Sequence, residues 1–248
     1  MNLSQVSVND EPFKHAIIKN AFNEELMQGL HDYFDKKRND KSSWKSYNNP
    51  LEKKLVYDEN LFDNPTIKQI INHARSPEVL TFLRKTFNIS EEIELDEDLY
   101  GAGLHNHERG QLLCTHLDYE INPVSYKKRY INMILYVNKE WSEEYNGDTE
   151  MWNTDITECK RVYPEYNKAL FFKTDGESWH GVSKPIRCPE TLSRRTLALY
   201  YVSKNPHTQE KITPETRFKA RFYNPKYEEL CKIRAIRRLT DDDIQKYT

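Results

Sequence analysis

Hydrophobic and polar positions divide the chain near residue 96. Before it, apolar residues recur at helical spacing; after it, they come in short runs that alternate with polar ones. Leu26, Leu30, Tyr33 and Phe34 follow Asn23, whose side chain can cap a helix. Asn64-Pro65 and Ser76-Pro77 each place a capping side chain before a proline at the first helical position. The helices they open carry Ile67, Ile70, Ile71 and Ala74, then Val79, Leu80, Leu83 and Phe87. His15 to Ile18 reads as a strand, and the polar stretch from Arg38 to Asn49 as a loop.

The second region holds eight strand candidates: Leu99–His105, Leu112–Asp118, Tyr130–Val137, Asp148–Trp152, Lys160–Tyr163, Lys168–Lys173, Gly181–Ile186 and Arg194–Val202. Helices followed by about eight short strands predict an α+β fold, a double-stranded β-helix (jelly roll) buttressed by N-terminal helices. The chain has 248 residues and neither an internal repeat nor a low-complexity linker. That suits one domain, with helical support over 11–95, a jelly-roll core over 96–204 and a charged extension over 205–248. The extension contains a helix pattern around Tyr227–Leu239 and otherwise reads as a solvated surface.

Two strands show which face points inward. In Tyr130–Val137 one face carries Ile131, Met133, Leu135 and Val137, which suits packing under helices. The other carries Tyr130, Asn132, Ile134 and Tyr136, the mixed lining of a ligand-holding interior. In Arg194–Tyr201, Arg195, Leu197, Leu199 and Tyr201 share one face; Arg194, Thr196, Ala198 and Tyr200 share the other. Small residues beside an arginine leave room for a bound molecule, and a guanidinium pairs with a carboxylate through two hydrogen bonds. The two strands together suggest an interior holding Tyr136, Asn132, Arg194 and Thr196.

Composition narrows the partners. Net charge is −2 with both signs abundant, which argues against broad binding to nucleic acid or to an anionic membrane. No apolar run approaches the roughly 20 residues that span a bilayer. The first residues lack the basic-then-apolar form of a signal peptide, so a cytoplasmic protein with reduced thiols is expected. Cys114, Cys159, Cys188 and Cys231 are widely spaced and form no Cys-x-x-Cys, which argues against a zinc ribbon. Cys114 shares strand parity with His116, so it is a candidate for the pocket lining as well as for ordinary apolar packing.

The candidate chemistry lies in His116-Leu117-Asp118, His180 and Arg194. Residues two apart on a strand point to the same side, so His116 and Asp118 can act together. Two histidines and one carboxylate can take one face of an octahedral Fe(II) and leave the opposite face open. A third ligand must come from elsewhere in the fold, and His180, which follows the strand-like run Ala169-Leu170-Phe171-Phe172-Lys173, is the candidate. His105 and His107 are the nearest competing imidazoles, set apart from His116 by a polar turn.

These residues resemble the Fe(II)/2-oxoglutarate-dependent dioxygenases, in particular the prolyl 4-hydroxylase-like branch of bacterial and phage type. Glu11-Pro12-Phe13 through Ile18 and Phe22-Asn23-Glu24-Glu25-Leu26 resemble the start of many members. Gly101 to His105 leads to Gly110 and then to His116-Leu117-Asp118. Ile134-Leu135-Tyr136-Val137-Asn138 with Trp141, Asn146 to Trp152, Ser178-Trp179-His180-Gly181-Val182 and Arg194 to Tyr201 complete the resemblance over residues 11–204. It implies iron ligands His116, Asp118 and His180. It also implies that Arg194 grips the distal carboxylate of 2-oxoglutarate, with Tyr136 bonded to the same end. Dioxygen is the oxidant, and ascorbate an accessory reductant. Asn146 replaces the first glycine of the family's Gly-Gly turn, and asparagine tolerates the positive φ such a turn needs. The gap from His180 to Arg194 is longer than in the shortest members and puts the choice between Arg194 and Arg195 in question.

The implied reaction is hydroxylation with release of succinate and carbon dioxide, and the substrate read at family level is peptidyl proline. Other readings stand beside it: a free amino acid or other small molecule, a nucleic-acid demethylase, or a non-catalytic metal-binding jelly roll. The demethylases usually carry a second arginine six residues after the first, where this chain has Tyr200. Tyr119, Trp152, Trp179 and Tyr200 are candidate substrate-side aromatics, and equally candidates for core. Oligomeric state is not legible.

Overall fold

The computed structural model describes residues 1–207, 217–218 and 227–247. Its fourteen strands are β1 (Val6–Asn9), β2 (His15–Ile18), β3 (Lys45–Asn49), β4 (Glu52–Tyr57), β5 (Ile93–Leu95), β6 (Gly103–His107), β7 (Leu112–Leu117), β8 (Lys127–Tyr136), β9 (Thr149–Trp152), β10 (Cys159–Val162), β11 (Ala169–Lys173), β12 (Trp179–Val182), β13 (Arg194–Pro206) and β14 (Arg217–Phe218). The helices are α1 (Glu24–Arg38), α2 (Pro65–Ala74), α3 (Pro77–Thr86), α4 (Glu228–Arg234) and α5 (Asp241–Tyr247). The expected caps are in place: Asn23, Asn64 and Ser76 accept from the backbone N–H of Leu26, Ile67 and Val79. No described helix is long and apolar enough to cross a membrane.

The strands run in the order β1-β2-β11-β8-β13-β6-β4-β7-β12-β9-β10, all pairings antiparallel, with β3 on β4, β5 on β13 and β14 on β7. This is the double-stranded β-helix, and the eight strands expected from alternation are β6 to β13. The main core lies between this sheet and the helices. Ile131, Met133, Leu135 and Val137 pack there with Leu197, Leu199 and Tyr201 against Met27, Leu30, Ile67 and Ile70. The inward and outward faces of β8 and β13 are therefore those read from the sequence. Arg195 also faces the helical layer, where its guanidinium meets Asp35 of α1 at 2.7 Å.

The polar stretch expected as a loop is corrected: Lys45–Asn49 forms an exposed edge strand paired with β4. The Asn49 carboxamide accepts from the N–H groups of Leu51 and Glu52 and closes the hairpin. Backbone pairing with β4 holds β3, so its own side chains need not be apolar. Strand β4 in turn sits between β6 and β7, which brings a segment from outside the eight-strand core to the seam between its two sheets. The strand expected at Gly181–Ile186 lies earlier, at Trp179–Val182, and the C-terminal helix ends at Arg234 before a second short one.

Candidate iron and co-substrate site

His116 near the end of β7 and His180 on β12 face each other in register, with ring centroids 4.3 Å apart. Asp118 follows β7. The ligand atoms of His116, Asp118 and His180 lie within 4.8 Å of one another, and among the described residues this is the only group of three or more such side chains that could hold a metal ion. Each histidine is fixed from behind: Nδ1 of His116 bonds the Cys114 carbonyl at 2.9 Å, and Nδ1 of His180 bonds the Ser178 carbonyl at 2.8 Å. With Nδ1–H donating, both Nε2 lone pairs are free for a cation. They point at Asp118, 3.6 Å from Oδ1 and 3.4 Å from Oδ2.

Burial alone would protonate Asp118, and it pushes the His116 imidazole toward its neutral form. At Asp118 the Arg129 guanidinium and the histidines outweigh burial, and the carboxyl is held well below its usual range. Arg129 Nη2 donates to Oδ2 at 3.1 Å and Asn132 Nδ2 to the same oxygen at 2.7 Å. Arg129 is 1% exposed and carries the Tyr200 ring 3.2 Å from its Cζ. Two imidazoles with an ionised carboxylate are the donor set that suits a divalent transition metal. The chain thus fits the metal its motif implies.

Arg129 was not legible as part of the site. It opens a strand as a polar flank, and only the turn through Asn122 and Tyr126 brings it back onto Asp118. Depression of the Asp118 carboxyl means that its ionised form contributes stability above the ordinary value of 3.8, and the contribution is lost as pH falls through the lower folded value. Arg129→Met removes the strongest attraction, so the folded value rises. The acid-unfolding midpoint of the metal-free protein, followed by circular dichroism, should move to higher pH. Stability at neutral pH should fall by about 3–5 kcal/mol, the cost of leaving one member of a buried pair alone.

Arg194 is 2% exposed. Its Nε donates to the Gly147 carbonyl at 2.6 Å and its Nη2 to Thr149 Oγ1 at 2.9 Å, while Tyr136 Oη meets the same Thr149 hydroxyl at 2.6 Å. The guanidinium lies 5.5 Å from the Tyr136 ring centroid. Among the described residues no carboxylate lies within ion-pair distance of it, and burial lowers its pKa. Gly147 has φ +95°, and a Cβ there would sit 3.2 Å from Arg194 Cδ. Asn146 before it takes φ +60°, as the turn requires.

His116, Asp118, His180, Asn132, Arg194 and Thr196 line one cavity, with about 70 Å³ open to the centre of a water molecule. Asn132, expected to hold the co-substrate, has its amide directed to Asp118, and its carbonyl oxygen accepts from Arg129 Nε and Thr174 Oγ1. Tyr136 lies behind Thr149 among Phe13, Met151 and Phe172. Tyr200 lines the cavity; Trp179 packs with Leu117 and Ile156, and Trp152 flanks them. Tyr119 stacks edge-on against Tyr100. A wider surface groove beside Asp35, Arg38 and Glu190 contains none of the triad.

Cys114 does not line the cavity and packs instead with Leu51, Phe218 and Leu230. The reason is a shift of register between His180 and Val182, which pair with His116 and Leu113. The irregularity breaks the parity that joined Cys114 to His116, and Leu113 faces inward in its place. Gly181 sits in this irregularity, where an added Cβ would lie 2.8 Å from the Leu113 carbonyl oxygen and 3.0 Å from Thr115 backbone. Gly181→Ala should therefore displace β12 and weaken metal binding, which calorimetric titration with Mn(II) would measure. His105, His107 and Lys54 also line the cavity. The histidines were expected to be competing imidazoles across a turn from His116; they line the cavity because β6 pairs directly with β13.

Residues 102–220 match the family model described as the 2OG-Fe(II) oxygenase superfamily. No curated protein matches the sequence. Among solved structures, a Pseudomonas putida prolyl-4-hydroxylase is 14% identical with a TM-score of 0.57, covering 77% of this chain and 93% of its own. A Trichoplax adhaerens prolyl hydroxylase, solved with a hypoxia inducible factor peptide fragment, is 13% identical with a TM-score of 0.59, covering 77% and 84%. A viral collagen prolyl hydroxylase from Paramecium Bursaria Chlorella virus-1, in its 2OG complex, is 12% identical with a TM-score of 0.53, covering 76% and 96%. These likenesses are of fold. Residues 102–220 thus carry a 2OG-Fe(II) oxygenase domain, an oxidoreductase domain of the kind that uses Fe(II) and 2-oxoglutarate.

Proposed function

We propose that this oxygenase hydroxylates peptidyl proline, with His116, Asp118 and His180 holding Fe(II) and Arg194 gripping the distal carboxylate of 2-oxoglutarate. The observation that carries the reading is Arg194, a buried guanidinium with no carboxylate at ion-pair distance among the described residues, lining the same small cavity as the triad. A buried unpaired charge is costly, and a ligand carboxylate compensates it. The metal and co-substrate supply the oxidising power and yield succinate and carbon dioxide; the protein supplies geometry and exclusion of water.

His116 and His180 present Nε2 because their Nδ1 atoms are tied to backbone carbonyls. Arg129 and Asn132 occupy Asp118 Oδ2 and leave Oδ1 for the metal. Thr196 and Ala198 are small enough to leave the space between Arg194 and the triad open. Thr149 and Tyr136 hold the guanidinium still, so little ordering is needed when a carboxylate arrives.

A peptide substrate is supported by the fold shared with prolyl hydroxylases, one of them solved with a peptide. An intracellular setting belongs to the same proposal, since Cys114, Cys159 and Cys188 are free thiols. The test is incubation with Fe(II), 2-oxoglutarate and a panel of proline-containing peptides, followed by mass spectrometry and succinate release. A gain of one oxygen on proline is expected. Oxidation of free amino acids with no change in any peptide would overturn the substrate assignment and leave the reaction class standing.

A further inference from the structure

Three neighbouring strands place three nitrogen-bearing side chains at one level of the sheet. Arg194 of β13 pairs with His107 of β6. Lys54 of β4 lies one step beyond the Leu55–Asn106 pair, which sets it beside His107. All three line the cavity. His107 is 1% exposed, and neither of its ring nitrogens has a hydrogen-bond partner among the described residues. Buried polar atoms are seldom left unmet, because each costs its desolvation. Lys54 is 9% exposed, and its ammonium is held by Glu52 at 2.9 Å.

The charge at this level does not close. Arg194 and Lys54 bring two positive charges and Glu52 one negative charge. Asp118, the carboxylate lining the same cavity, is engaged by Arg129. Asp148 attracts Arg194 from beyond ion-pair distance but also faces Arg161 and Lys184, so the cavity lining keeps one net positive charge, which one ligand carboxylate neutralises. Arg194 commits Nε to Gly147 and one Nη2 hydrogen to Thr149, which leaves Nη1 and the other Nη2 hydrogen for a carboxylate whose remaining lone pairs need further donors.

Resting on the reading that this cavity takes 2-oxoglutarate, we infer that Lys54 and His107 complete the clamp on its distal carboxylate. His107 donates a ring N–H to it and Lys54 an ammonium hydrogen. Glu52 is a positioning residue that keeps the Lys54 side chain extended into the cavity. Recognition of the co-substrate then depends on the β3–β4 hairpin, which lies outside residues 102–220 that match the family.

The test is calorimetric titration of the Mn(II)-loaded full chain with 2-oxoglutarate and with 2-oxopentanoate, which lacks the distal carboxylate. The variants are Lys54→Met, His107→Phe and His107→Gln, each checked by its melting temperature. Lys54→Met and His107→Phe should each weaken 2-oxoglutarate binding on the order of tenfold, the usual effect of losing a hydrogen bond to a charged group. Binding of 2-oxopentanoate and of Mn(II) should not change. His107→Gln keeps a donor and should recover part of the loss. Equal weakening of both oxo acids would overturn the inference. So would unchanged 2-oxoglutarate affinity in both Lys54→Met and His107→Phe while Arg194→Ala abolishes it, an outcome that leaves the parent reading intact. Failure of the unaltered protein to bind 2-oxoglutarate would overturn that reading and the inference together.

Discussion

His116→Ala, Asp118→Ala and His180→Ala should each reduce Fe(II)-dependent succinate release to background. On the proposed ligand set each removes one of three protein bonds to the metal, and two bonds hold it too weakly for turnover. The histidine variants should keep the fold, since each imidazole contributes one hydrogen bond to a backbone carbonyl. Asp118→Ala is different, because it leaves Arg129 buried beside no carboxylate, at a cost of about 3–5 kcal/mol. Asp118→Asn keeps the shape and an acceptor oxygen for Arg129 while losing the charge the metal needs. It separates loss of metal from loss of fold, with circular dichroism and metal content measured together. His105→Ala is the control: it faces the cavity but stands apart from the triad, and it should retain metal. An active His180→Ala enzyme would remove His180 from the ligand set.

The second large effect is expected at Arg194. Arg194→Ala should weaken 2-oxoglutarate by about 2–5 kcal/mol, because the ligand carboxylate is left poorly paired in a buried place. Arg194→Lys should recover only part, since an ammonium lacks the planar fork. Arg195→Ala should leave 2-oxoglutarate affinity unchanged. Its guanidinium lies on the opposite face of β13 against Asp35, whose side chain is 52% exposed, and such a pair contributes at most about 1 kcal/mol of stability. The concentration dependence of succinate release on 2-oxoglutarate in the three variants distinguishes them. A larger loss in Arg195→Ala would mean that the inward face of β13 has been misassigned.

Features that obey local rules were legible in the sequence. The cap-then-proline pairs at Asn64 and Ser76 start helices because capping and the fixed proline φ act within four residues. The two faces of β8 and β13 followed from alternation, which assigned Arg194 inward and Arg195 outward. The triad was legible because two of its members share one strand and the third follows another. Features set by distant pairing were hidden. Glu52 to Tyr57 is a charged-then-apolar run whose strand character comes from β6 and β7, so Lys54 could not be placed. Cys114 took the apolar-packing reading of the two that alternation left open, because a register shift breaks its parity with His116. Arg129 reaches Asp118 only through the intervening turn, and no local pattern marks that approach. His105 was read as the end of a strand and His107 as lying beyond it, and their place in the cavity was hidden because it comes from the pairing of β6 with β13.

The most direct test is a crystal structure of the chain grown anaerobically with Mn(II) and 2-oxoglutarate. The account predicts an ion bound by Nε2 of His116, Nε2 of His180 and the Asp118 carboxylate, with the distal carboxylate of 2-oxoglutarate against Arg194. An ion held by any other set of residues, or 2-oxoglutarate bound with its distal carboxylate away from Arg194, would contradict it.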